Sequence, residues 1–315
     1  MLGLGLKPSI RTAIEPQGFF LDTGAYWTHD ISASSTSLDD LTGLTVIIHM
    51  SWSARGPQHS GYTFPHLLYA FNNTGSDKLG FKIHSDTLSK KSESYALGQC
   101  SLDVDMSDGS GAMTSLGTDA NDVARFGYNR AEATTDSKKL FGCPSFANVV
   151  RFKAGATNEQ QIALLSNTNI KYYESNNDVA NLGQISDTTN IQIGNNNGDG
   201  HGGINWTDYT IGNVIIHKIS VWNTALGDGD ILKLTGFNGS TLEDTTYANL
   251  DGFYHDPTRF QGYAELGVDT PEHNWNFTRP ALQTYTSGTL SDTGNQSDLD
   301  MSPVGNPVIG SRGQV

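Results

Sequence analysis

Two strings in this sequence place side chains at spacings that bind ligands or react. In Asp103-Val104-Asp105-Met106-Ser107-Asp108, residues Asp103, Asp105 and Ser107 offer oxygens at alternate positions, the donor types taken by a hard cation such as Ca2+. An EF-hand loop wants Gly at its sixth position; Asp108 stands there, Gly109 comes one later, and the closing bidentate Glu is absent. The string runs straight into Gly109-Ser110-Gly111, so it reads as a loop more than as a strand centre. A solvated acidic loop and a Ca2+ site both stay open. The second string, GNNNGDGHGG from Gly194 to Gly203, offers Asn195, Asn197 and Asp199 as carbonyl and carboxylate ligands. Asn and Asp also tolerate left-handed turn geometry, which needs no ligand. Trp206 and Tyr209 follow. Aromatic faces beside amides make a sugar platform, stacking on C–H faces while the amides bond hydroxyls. Packing of the same loop onto a sheet is the plainer alternative.

Other chemistries find no support. The nine histidines are dispersed, with no H-x-H or H-E-x-x-H arrangement, so a zinc site is not expected. No G-x-S-x-G string marks a serine nucleophile, and no glycine-rich stretch ends in the GK[ST] of a phosphate loop. Cys100 and Cys143 cannot form a four-thiolate site or a disulfide scaffold; two buried thiols and a single bridge both remain open.

The elements that would position these strings are strands. NIQIG alternates, with Ile191 and Ile193 on one face. In NVIIHKISVWN, Val214, Ile216, Lys218, Ser220 and Trp222 fall on one side, and Ile215, His217, Ile219 and Val221 on the other. Such a pair with a polar loop between belongs in an antiparallel sheet, and an acidic turn then leads to a helical stub. Phe19 to Trp27 reads as a first strand and Leu44 to Trp52 as a clearer one. FPHLLYAFNN and KLGFKIHSD read as a hairpin. FANVVRFKAG and NIKYYES are further strands, TNEQQIALLSN is a short helix or a strand approach, and a helix is conceivable around Leu242 to Leu250. Trp52 and Trp222 are expected in the core. Trp275, in HNWNF, could dock the tail on a neighbouring sheet edge and cover an exposed strand.

Composition agrees with a β fold. The chain has 315 residues, 36% hydrophobic and only 17% charged, with 35 glycines. Neutral polar residues and abundant Gly suit sheets joined by many turns. The net charge of −14 opposes a phosphate backbone, so no nucleic-acid partner is expected. No apolar run reaches the ~18 residues that span a bilayer, so no membrane is expected. The start MLGLGLKPSIRTAIEPQG lacks a charged region followed by an apolar core, so a secretory signal is not expected.

The order of these elements resembles the laminin-G-like, concanavalin-A-like jelly rolls. The residues that carry the likeness are LTGLTVIIHMSW, NIQIGNNNGDG and the closing YTIGNVIIHKISVWNTALGDGDILKLTG. Glycoside hydrolases on that fold place carboxylates as E-x-D-x-x-E, with nucleophile and assisting acid in one cleft and a general acid beyond. No such Glu triplet occurs, and the nearest string is the one that begins at Asp103. Relatives with the Asn/Asp loop sometimes hold a cation or a sugar at a sheet edge. The start MLGLGLKPSI and the tail HNWNFTRPALQTYTSGTLSDTGNQSDLDMSPVG further resemble jelly rolls of tailed-phage virion structural proteins, those of marine phages in particular. SDTGN departs from the DSSGN form usual there.

The resemblance implies an all-β protein: an arm over residues 1–18, a concanavalin A-like jelly-roll β-sandwich over 19–240 with an insertion at about 98–146, and a C-terminal extension over 241–315. It implies a non-enzymatic virion protein, a capsid decoration or a tail or fibre component, assembled in the host cytoplasm. Other virion proteins and further copies of the chain are its expected partners, with host-surface glycan binding as an added property. A carbohydrate-binding adhesin is the alternative, and a polysaccharide hydrolase or lyase a more distant one.

Overall fold

Where the structure is described, alternating apolar positions become strands. The computed structural model describes residues 17–20, 25–30, 43–52, 62–63, 66–71, 80–88, 99–107, 113–116, 145–153, 162–165, 173–174, 190–194, 214–235, 237–238, 246–247, 263–277 and 283–311. Among them the protein is all-β, with antiparallel pairing throughout and two short helices.

One sheet runs β11 (Tyr173–Glu174), β10 (Ile162–Leu165), β9 (Ser145–Lys153), β3 (Gly43–Trp52), β13 (Val214–Trp222), β1 (Gln17–Phe20), β19 (Val308–Ser311) and β17 (Gln283–Thr284). A further strand, β16 (His273–Asn276), also pairs with β13. The other sheet runs β18 (Ser302–Val304), β2 (Tyr26–Asp30), β12 (Asn190–Ile193), β5 (His66–Phe71), β6 (Gly80–Leu88), β7 (Gln99–Ser107) and β8 (Met113–Leu116), with β4 (Tyr62–Thr63) on β6. A small third sheet pairs β14 (Phe237–Asn238) with β15 (Thr246–Tyr247).

Several sequence expectations change here. The strands NIQI and VIIHKISVW do not pair with each other. NIQI pairs with β2 and β5 in one sheet, whereas VIIHKISVW pairs with β3, β1 and β16 in the other. Phe19 to Trp27 is two strands that part into different sheets. The helix or strand approach in TNEQQIALLSN resolves as β10, and Thr246–Tyr247, inside the conceived helix, is a strand. The boundary at 240 does not divide the sheets: β16, β17, β18 and β19 all lie beyond it and complete both. Likewise β7 and β8 fall within 98–146 and extend the second sheet.

The clean alternation read for VIIHKISVW breaks at a β-bulge. Ile216 lies opposite Met50 and Lys218 opposite His49, which leaves His217 as the extra residue. Before the bulge Ile216 stands with Phe19 of β1; after it Ile219 and Val221 stand opposite Ile48 and Val46. A one-residue slip moves every following side chain to the other face, so Ile216 parts from Lys218, Ser220 and Trp222. The parity switch lets both faces of β13 be buried. Ile216, Ile219 and Val221 are fully buried, and so, nearly, are Ser220 and Trp222.

One face carries aromatic rings at the junction of the sheets. Phe19 stacks on Phe277 at 5.6 Å and meets Trp27 of the second sheet edge-on at 6.4 Å, and Trp27 meets Tyr285 at 5.1 Å. The other face lies under helix α1 (Asp228–Thr235). Leu226, Ile231, Leu232 and Leu234 pack there on Ile47, Val149 and Trp222. Asp228 and Asp230 sit in the first turn of α1 and Lys233 in the last, signs that suit the helix dipole. Arg151 of β9 ties the helix down, donating to the Leu226 carbonyl at 2.9 Å and to Asp228 at 2.6 Å. The expected helical stub is thus present, and Trp222 is core as expected.

Candidate functional site

The acidic string lies on a strand. Asp103, Asp105 and Ser107 belong to β7, which pairs with β6 from Gln99 to Met106 without interruption. The expectation of a loop is corrected. Leu102, Val104 and Met106 alternate with the two Asp residues, and that period of two sustains the strand up to Ser107. In register, Asp103 stands opposite His84 and Asp105 opposite Lys82, two basic residues. Cys100 stands opposite Thr87; Cys143 lies outside the described residues.

The Asn/Asp loop begins at Gly194, whose φ of 80° is open to glycine at little cost. Asn195, Asn197, Asp199, Trp206 and Tyr209 lie outside the described residues. The strands at the two ends of that loop are β12 in one sheet and β13 in the other, so the connection passes between sheets.

Among the described residues, a dense polar constellation is one that sequence reasoning left unassembled. β16 brings His273 and Asn274 against β13, and the following chain folds back over them. The Asp292 carboxylate is its hub. His273 Nδ1 donates to Oδ2 at 2.7 Å, the Asn274 amide to Oδ1 at 2.8 Å, the Gly294 amide to Oδ1 at 3.0 Å, and the Leu299 amide to Oδ2 at 3.4 Å. Burial pushes this carboxyl up, but the hydrogen bonds from His273, Asn274 and Gly294, together with the His273 charge, outweigh it and hold it below the usual carboxylate range. Asp300 accepts from the Asp292 amide at 2.7 Å, and Trp275, fully buried and stacked on His273, donates Nε1 to the Leu299 carbonyl at 2.9 Å.

A second knot joins this segment to the outer face of β13. Ser220 Oγ lies 3.0 Å from both the Tyr263 hydroxyl and Asn274 Oδ1, and Tyr263 donates to the same Oδ1 at 3.1 Å. Tyr263 opens the one-turn helix α2 (Tyr263–Leu266). Burial raises its phenol, partly opposed by the Ser220 hydrogen bond. Trp222 Nε1 donates to the Asp269 carbonyl at 2.8 Å, so α2 and the chain after it are held at both ends.

His273, Asp292 and Asp298 bring three ligand-type atoms within 4.8 Å of one another. Their geometry serves the backbone instead of an ion. Both Asp292 oxygens already accept hydrogen bonds, and His273 Nδ1 is one of the donors. A cation here would have to displace them. The constellation is a staple for the tail. Two features of the sequence hinted at it: Trp275 in HNWNF, and the small residue Gly294 in SDTGN. A Cβ at Gly294 would overlap the Glu272 carbonyl, so only glycine lets the two passes of chain lie this close. Gly294→Ala is therefore expected to cost about 1–3 kcal/mol through forced backbone displacement, read as a lower midpoint in urea unfolding.

No family model and no curated protein matches the chain. Among solved structures, it is similar to tailspike protein 2 from Escherichia coli O157:H7 bacteriophage CAB120, at 12% identity and a TM-score of 0.33, with 71% of this chain covered. The chain spans only 28% of that tailspike's length. Among the described residues no helix is long and apolar enough to cross a membrane.

Proposed function

We infer that the protein is a non-enzymatic structural component of a phage virion, a capsid decoration or a tail or fibre part. It acts through protein–protein contacts with virion neighbours and further copies of itself. What supports the reading is the joint occurrence of three strings: LTGLTVIIHMSW, the closing VIIHKISVWNTAL with its helix, and the HNWNF…SDTGN tail. They become β3, β13 with α1, and the β16 staple, a continuous set of neighbours around β13. On this reading the two large sheets form a concanavalin A-like jelly-roll sandwich. Trp275 of the tail is docked on the chain's own sheet; on this reading the contacts with neighbours fall to other parts of the chain.

Immunogold electron microscopy of particles from the culture that encodes the chain tests this directly. Gold on capsid or tail is the expected result, and the position of the label decides between them. Particles without gold, alongside abundant chain in the same lysate, would reject the reading.

The proposal includes a glycan platform on the loop that follows Gly194, with Asn195, Asn197 and Asp199 bonding hydroxyls and Trp206 and Tyr209 stacking on the sugar. On a glycan array, Trp206→Ala and Tyr209→Ala are each expected to lower the signal at least tenfold. An unmodified protein that binds no glycan removes this part of the proposal and leaves the structural role standing.

A further inference from the structure

The bulge in β13 gathers three bases where the C-terminal segment is fastened. Because His217 is the extra residue, it and Lys218 both come up against His49 of β3. His49 and His217 are buried, and Lys218 is largely so. The C-terminal segment attaches to these same residues. The Phe277 amide donates to the His217 carbonyl at 2.9 Å, Asn276 is the cross-strand partner of Lys218, and the Tyr263 ring centroid lies 4.5 Å from Lys218 Nζ.

We propose that this bulge is a proton-operated clasp on the segment from Tyr263 to Phe277, tight when Lys218 is neutral and looser when it is charged. The groups that face Lys218 include His49 from β3, His217 beside it on β13, the Tyr263 phenol from α2 and the neutral Asn276 amide from β16. The aromatic face attracts an ammonium, but burial opposes it more strongly. Lys218 is pushed down to about 7 by desolvation. His49 is held well below the usual histidine range by burial, then by Lys218 and His217, so a charge on Lys218 resists a second proton next to it.

The direction follows from linkage. An unfolded or detached lysine keeps its proton up to about pH 10.4, whereas the docked one releases it near 7. Between those values the open state binds more protons, so closure strengthens as pH rises and the effect saturates below about 7.

Hydrogen exchange of the full chain, corrected for the intrinsic pH dependence of exchange, reads this. The protection of the β16 amides is expected to rise severalfold, and at most about tenfold, per pH unit from 7 to 9. The β2–β12 amides, remote from the bulge, provide the internal reference and should not follow. Lys218→Met, or Lys218→Gln if the first does not fold, should abolish the slope. A flat profile in the unmodified protein, an equal slope in β2–β12, or a slope that survives both substitutions would overturn the proposal.

Discussion

A chain ending at residue 262 is expected to lose its cooperative unfolding transition altogether. The cut removes β16, β17, β18 and β19, and with them the buried Trp275, Phe277, Leu290, Leu299, Met301 and Ile309. It also removes Phe277 from Phe19 and Tyr285 from Trp27, and leaves one edge of β1 and half an edge of β13 unpaired. Burying a large apolar side chain is worth about 1.5–3 kcal/mol. Six of them together are comparable to the whole of the roughly 5–15 kcal/mol by which a folded domain is stable. Near-ultraviolet circular dichroism during heating gives the answer. A sharp transition in the shortened chain, like that of the full one, would show that residues past 262 decorate a body able to fold without them.

Asp292→Ala is the point change with the largest expected cost, about 3–5 kcal/mol. Removing a buried carboxylate that accepts several hydrogen bonds costs that much because the donors are left buried and unanswered. His273 and the amides of Asn274 and Gly294 would be those donors. Asp292→Asn, similar in shape, should recover part of the loss. Its pH dependence is a sharper check. The folded-state pKa of Asp292 lies below the ordinary value, so its stabilisation is complete above about pH 4 and is lost as pH falls through the folded value. The gap in denaturant midpoint between the unmodified protein and Asp292→Asn should therefore be widest at neutral pH and shrink in acid. A gap that is constant from pH 7 to 3 would mean that the carboxylate charge contributes nothing.

Period-two patterning made the fold class legible, and it placed β3, β5, β6, β9, β12 and β13 with little error. It could not say which strands meet. NIQI and VIIHKISVW are adjacent in sequence and alternate alike, yet the connection between them crosses from one sheet to the other. The bulge at His217 was hidden for a similar reason. One extra residue leaves the string looking regular and shows only against the register of β3. The acidic string misled because Gly109-Ser110-Gly111 was allowed to define its neighbourhood, while Leu102, Val104 and Met106 carried the strand up to Ser107. The staple was legible only in fragments. Trp275 and the SDTGN string each stood out, but His273 and Asp292 are 19 positions apart and meet only when the chain folds back.

Co-sedimentation tests the central claim most directly. Particles from the culture that encodes this chain would be banded on a density gradient, washed in high salt and analysed by mass spectrometry. The account predicts that peptides of this chain band with the particles, in constant ratio to the major capsid protein, and survive the wash. Recovery of the chain solely from the soluble fraction at the top of the gradient, with none in the particle band, would contradict it.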